Sequence, residues 1–180
     1  MEHKERPILF SGPMVRAILE GRKTQTRRVV KLPKDASPYA ELHHIDLLGN
    51  AVFTDGSVVR AFAQAGTRLW VRETWSGTGM DVVYKSDDLS SWRQLSPWRP
   101  SIHMPRWASR ITLEVTGVRV ERLQDISEED AKAEGSKIMN HDDIGWHSYQ
   151  RGFQTLWESI NGPGSWDADP WVWVVEFKRI

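Results

Sequence analysis

Apolar and polar residues alternate along this chain with a period that changes from segment to segment, and each period predicts an element. Residues 7–11 (PILFS) read as a short opening strand. Gly12-Pro13 then starts a helix, because proline at the first helical position gives up an N–H that has no partner there anyway. Met14, Val15, Ile18 and Leu19 share one face of it, Arg16 and Glu20 point outward, and Gly21 stands where a left-handed C-terminal cap is needed. Residues 22–30 (RKTQTRRVV) mix β-branched and basic side chains and predict a strand or extended segment. Residues 31–66 are the least regular stretch, with a hairpin predicted around Gly49-Asn50 or Asp55-Gly56.

Residues 67–75 (TRLWVRETW) predict one strand, with Leu69, Val71 and Glu73 on one face and Trp70, Arg72 and Thr74 on the other. From Gly77 to Pro100 the chain is polar and predicts a long loop holding a short strand, DVVYKS. Residues 109–123 alternate well and kink at Gly117. Ser127 with Asp130 reads as a capping box, with Ile126 stapled to Ala131, and this second helix stops at Gly135. A third helix is predicted over 146–160, with Tyr149, Phe153, Leu156, Trp157 and Ile160 as its buried stripe. The closing PWVWVVEFKRI reads as a strand buried on both faces. Strands with helices inserted between them predict an α+β fold with a mixed or barrel-like sheet rather than a doubly wound one.

Composition narrows the function. The 180 residues suggest one domain. Lys plus Arg equal Asp plus Glu at 24 each, which argues against holding duplex nucleic acid through overall charge. No run of apolar residues is long enough for a membrane span and the N-terminus does not read as a secretory signal. Cysteine is absent, which removes disulfides, thiolate metal sites and thiol nucleophiles together, so the chain reads as cytoplasmic. Ten tryptophans are many for this length; they suit cores, base stacking or a homodimer surface.

Two places carry candidate chemistry. At the end of the first helix, Lys23 and Thr26 put an amine and a hydroxyl three residues apart, with Arg22, Arg27 and Arg28 around them. A lysine in such a positive field has its pKa depressed and can act as a base toward a hydroxyl nucleophile. A solvated basic turn is the other reading of the same residues. The second place is Glu134, which follows Ala131 by three and so faces inward near a helix C-terminus. The helix dipole disfavours a carboxylate there, so it needs a cationic partner or a task, unless the last turn frays to water. Glu73 reads as a buried carboxylate paired with an arginine, or as an edge residue. His43, His44 and Asp46 lack a second cluster at ligand spacing, so no metal is predicted. Gly77-Thr78-Gly79 lacks the context of a nucleotide loop, and no cofactor is expected.

The run Gly21-x-Lys23-x-x-Thr26-x-Arg28 resembles the GxKxxExR signature of the ASCH domain, a member of the PUA-like superfamily. Thr26 stands where that pattern has Glu, as in small bacterial ASCH amidohydrolases that remove the acyl group from N4-acetylcytidine. The block VTGVRVERLQDISEEDAKAEG is similar to the one that brings a glutamate to the site in those enzymes, and Glu134 matches it. The final VWVVEFKRI resembles the family's last strand, and LWVRETW with HMPRWASR resembles longer, phage-encoded ASCH proteins. The resemblance implies a single PUA-like domain over 1–180, a small mixed β-barrel with flanking helices and insertions near 31–66 and 76–108. It implies Lys23 as base, Thr26 as nucleophile and Glu134 as the group that orients the amine or relays its proton. Arg22, Arg28, Glu73, Trp75 and Trp107 are the expected substrate-binding residues. The function expected is hydrolysis of an N4-acylated cytosine nucleoside; the alternative is a non-catalytic module that binds single-stranded RNA or a modified nucleobase.

Overall fold

The computed structural model describes residues 5–37, 39–47, 49–78, 81–87, 97–141 and 146–180. Strand β1 (Glu5–Leu9) leads into helix α1 (Gly12–Leu19) and then β2 (Gln25–Val29). A small sheet follows, built from β3 (Leu42–Ile45), β4 (Ala51–Phe53) and β5 (Val58–Val59). Next come β6 (Arg68–Arg72) and the hairpin of β7 (Trp75–Thr78) with β8 (Asp81–Tyr84). After two short 3-10 turns, the long β9 (Thr112–Arg122) precedes helix α2 (Glu128–Ala133). The two-stranded ribbon of β10 (Met139–His141) and β11 (Trp146–Ser148), helix α3 (Tyr149–Asn161) and β12 (Trp171–Arg179) complete the order.

The frame of the molecule is a five-stranded sheet in the order β1-β6-β9-β12-β2. β1 runs parallel to β6 and every other pair is antiparallel. The class is therefore α+β with a mixed sheet, as the element order predicts. Among the described residues the sheet does not close: β1 and β2 remain its two edges. One side chain spans them, since Arg28 Nη2 on β2 donates to the Leu9 carbonyl of β1 at 2.8 Å. The expected small mixed β-barrel is thus, among the described residues, an open sheet with a seam.

β12 is buried on both faces because it divides two apolar layers. Trp173, Val175 and Phe177 join the larger core, which α1 covers through Val15 and Ile18 and which includes Leu69, Val71, Leu113 and Val115. Val172 and Val174 project the other way, to Leu123, Ile126 and Ala131 below α2 and Phe153 and Trp157 of α3. At about 25 cal/mol per Å² of apolar surface, these layers are the main favourable term in folding.

Several elements depart from the sequence reading. The 67–75 segment is two strands: β6 ends at Arg72, and Glu73 and Thr74 turn the chain into the β7–β8 hairpin. Both turn candidates in 31–66 are used, making a three-stranded sheet; Gly49 (φ +76°) and Gly56 (φ +83°) each supply a left-handed residue. Residues 146–148 are strand, so α3 starts at Tyr149 rather than 146. Glu128 explains that start, because its carboxylate accepts from the backbone N–H of Tyr149 (2.7 Å) and the Ser148 hydroxyl (2.6 Å). Ile160, expected in the buried stripe of α3, is 59% exposed. Among the described residues no helix is long and apolar enough to cross a membrane.

Candidate functional site

The site grows from the end of α1. Gly21 takes φ +74°, and the N–H groups of Arg22 and Lys23 both return to the Ala17 carbonyl, which turns the chain sharply into β2. At the distant end of α2, Gly135 is also left-handed at φ +77°, and an added Cβ there would lie 2.9 Å from Ala17 Cβ and 3.0 Å from Lys23 Cβ. Two glycine caps therefore bring two helix ends into contact. Lys23 and Glu134 pair as an isolated antiparallel bridge, and Thr24 N–H donates to the Ala133 carbonyl at 2.8 Å.

The Lys23 ammonium donates to Glu134 Oε2 at 2.7 Å, the Gln25 carbonyl at 2.8 Å and the Glu134 carbonyl at 2.9 Å. Its three donors are thereby filled by protein acceptors, and the Thr26 hydroxyl is not one of them. The pair is almost sealed from water, with side-chain exposures of 1% for Lys23 and 3% for Glu134. Burial pushes the Lys23 pKa below the usual lysine range, against the pull of the Glu134 carboxylate.

Glu134 has a second cation. Arg27, wholly buried, donates from Nη1 to Glu134 Oε1 at 3.1 Å and from Nη2 to Asp130 Oδ2 at 2.9 Å and to Glu121. Arg119 completes the network through Glu121 (3.0 Å), Asp130 (2.6 Å) and Glu176. Asp130 sits below its ordinary pKa although burial opposes it, chiefly because Arg119, then a hydrogen bond from Gln25 and then Arg27 stabilise its charge. The inward carboxylate that the helix dipole disfavours is thus held by two cations from other elements.

Alternation along β2 sorts these groups. Gln25 and Arg27 turn toward α2 and α3, where Gln25 donates to the Asp130 carbonyl and the Arg27 guanidinium lies 5.7 Å from the Phe153 ring. Thr26 and Arg28 take the opposite face. The Arg28 guanidinium and the Lys23 ammonium each lie 5.6 Å from the Phe10 ring centroid, so one aromatic face serves two cations. Burial lowers the Arg28 pKa, while Glu134 acts to raise it; an arginine remains charged regardless.

Lys23, Thr26, Arg28 and Glu134 all line one cavity of about 480 Å³ between β2, α1 and α3. Its volume falls in the range of small-molecule sites. The aromatic wall comes from Phe10, Phe153 and Trp157, none of which the sequence reading chose for that role. The 3.6-residue stripe of α3 contained a signal, since Phe153, Leu156, Trp157 and Ile160 lie along it, but periodicity cannot separate a core wall from a cavity wall.

Four residues expected at the substrate lie elsewhere. Arg22 is exposed, paired with Glu20, and lines a separate cavity of about 390 Å³ beside Tyr149. Glu73 is buried as the partner of Arg110 (3.0 Å) and of the Ser86 hydroxyl, outside the main cavity. Trp75 is core, packed with Met104 and Ala108 and capped by Arg99 at 4.8 Å. Trp107 is 59% exposed and stands edge-on to Trp75 at 5.7 Å. The β6–β7 break accounts for Glu73 and Trp75, because it sends the chain after Arg72 into a separate hairpin and its own small core. His43 and His44 touch through their Nδ1 atoms at 2.6 Å on an exposed strand; among the described residues no group of three ligand-type side chains is placed to hold a metal.

Comparison with known proteins yields no match to a family model, a curated protein or a solved structure.

Proposed function

We propose that the protein is an amidohydrolase acting on N4-acylated cytosine nucleosides, built on a PUA-like fold of the ASCH kind. The observation that carries this reading is the convergence of Lys23, Thr26 and Glu134 on one cavity although 111 residues separate the amine from the carboxylate. The open sheet whose edges are bridged by Arg28 agrees with a partly open barrel.

Catalysis then runs through a shared proton. In the desolvated Lys23–Glu134 pair, moving the Nζ proton to Glu134 leaves a neutral amine and a neutral acid. The amine accepts the Thr26 proton as Oγ1 attacks the acyl carbonyl, and the carbon–oxygen bond forms. Arg28 spends one N–H on Leu9 and keeps others for the oxyanion. As the carbon–N4 bond breaks, Glu134 protonates the leaving nitrogen and Lys23 returns its proton to Glu134. Water then hydrolyses the acyl-threonine ester. Phe10, Phe153 and Trp157 offer apolar faces for the base and acyl group.

One observation favours the binding-only alternative: Lys23 gives all three protons to protein acceptors and none to Thr26. The test is incubation of the purified chain with N4-acetylcytidine and chromatography of the product. Cytidine is expected from the wild type and from Thr26→Ser, and none above background from Thr26→Ala with an unchanged circular dichroism spectrum. Full activity in Thr26→Ala rejects the mechanism, and binding of the nucleoside without turnover in the wild type selects the alternative.

A further inference from the structure

The main cavity does not end at Arg28. A second cavity of about 440 Å³ adjoins it along the seam between β1 and β2, and Leu9, Arg28 and Val29 line both. Its remaining walls include two more cations, Lys31 and Arg60, and the apolar Phe62 and Trp173. Among the described residues no carboxylate lines it. Both Lys31 and Arg60 are exposed, and among the described residues neither has an ion-pair partner. Among the described residues, six other arginines are paired with carboxylates. Among the described residues Arg28 forms no salt bridge either, and it donates to the Leu9 backbone carbonyl.

We infer that the seam is a phosphate subsite, and that the ligand of this protein is a phosphorylated cytosine nucleoside rather than the free nucleoside. The inference rests on the reading that the main cavity takes the cytosine nucleoside. A base among Phe10, Phe153 and Trp157 directs its sugar either to solvent or along the seam, and Arg28 stands at the junction. Beyond that junction a phosphoryl group meets Arg28, Lys31 and Arg60, with no carboxylate among the described lining residues to compete for them. Phe62 and Trp173 supply an apolar floor on which a sugar can rest. The same chemistry is carried by a mononucleotide and by a single-stranded oligonucleotide, and the two are separable by ligand length.

The test uses equilibrium binding by the full chain, measured by calorimetry at low salt with cytidine, cytidine 5′-monophosphate, cytidine 3′-monophosphate and a cytidylate trinucleotide. At least one phosphorylated ligand is expected to bind about tenfold more tightly than cytidine, the yield of two exposed charge pairs. That advantage shrinks with added salt and falls to within about twofold in Lys31→Ala/Arg60→Ala, whose affinity for cytidine is unchanged. A monophosphate that carries the whole advantage identifies a mononucleotide; a further gain with the trinucleotide identifies a strand. Equal binding of cytidine and every phosphorylated ligand, or an advantage that survives the double variant, overturns the inference. Because the readout is binding, it separates from hydrolysis. A phosphate advantage without acyl hydrolysis leaves the subsite and removes the enzyme, whereas hydrolysis without the advantage does the reverse.

Discussion

The Lys23–Glu134 pair offers a direct measure of how tightly two distant parts of the chain are coupled. Both side chains are nearly dry and their charged atoms lie 2.7 Å apart. Removing one partner of such a pair costs about 3–5 kcal/mol, since a buried charge loses its counter-charge. For loss of the carboxylate the lower end applies. In Glu134→Leu the ammonium keeps the Gln25 and residue-134 carbonyls, and Arg27 keeps Glu121 and Asp130. We expect a loss of about 3 kcal/mol. In Lys23→Met the carboxylate keeps Arg27, 3.1 Å away, but the Gln25 and residue-134 carbonyls lose their donor, and a loss of about 4 kcal/mol is expected. The double variant Lys23→Met/Glu134→Leu buries no orphaned charge, but it frees two carbonyls at about 1 kcal/mol or more each. It should therefore lose about 3 kcal/mol, giving a coupling energy of about 4 kcal/mol. Urea unfolding followed by tryptophan fluorescence, with unchanged m values, measures all four proteins. Losses that add to within about 0.5 kcal/mol would refute a buried, mutually dependent pair.

Two further predictions probe the supports of the site. Gly135→Ala forces a Cβ into a left-handed position against Ala17 and Lys23, and should cost about 3 kcal/mol of strain and overpacking together. That corresponds to a fall in Tm of about 8 °C in calorimetry; a shift under about 2 °C would mean the contact relaxes freely. Glu128 titrates below its ordinary 4.5, mainly because the Ser148 hydroxyl donates to it, with backbone N–H groups of Tyr149 and Gln150 adding to this against desolvation. A depressed carboxylate contributes stability that is fully present above 4.5 and is lost as pH falls through the folded value. Glu128→Gln should thus lower stability by about 1 kcal/mol at pH 7. Its deficit should close as pH drops below 4.5, and a deficit constant from pH 7 to 3 in urea midpoints would exclude the cap.

The chain's own periodicities determined a good deal. The run Met14, Val15, Ile18 shows the buried face of α1, Gly21 its left-handed end, and Ser127 the start of α2, where its side chain accepts from Asp130 N–H. The unbroken apolar run of β12 shows a strand covered on both sides. These are legible because each depends on neighbours within one or two turns, where backbone geometry and side-chain spacing set the outcome. The same local logic placed Glu134 on the inner face at the end of α2, needing a cationic partner or a task unless the last turn frayed to water.

Which cations meet it was decided only in three dimensions. Lys23 and Arg27 reach Glu134 because two glycine caps pack together and β2 takes the edge beside β12, contacts spanning more than a hundred residues. The same holds for the cavity wall. A tryptophan in sequence is a large apolar surface whatever it covers, so Trp75 and Trp107 look as suitable for stacking as Trp157. The break after Arg72 carried Trp75 into a separate small core, with Trp107 edge-on against it, and the packing of α3 against β2 brought Trp157 to the main cavity. Local pattern specifies that a residue must be buried; the crossing of distant elements specifies what it is buried against, and that second fact makes the site.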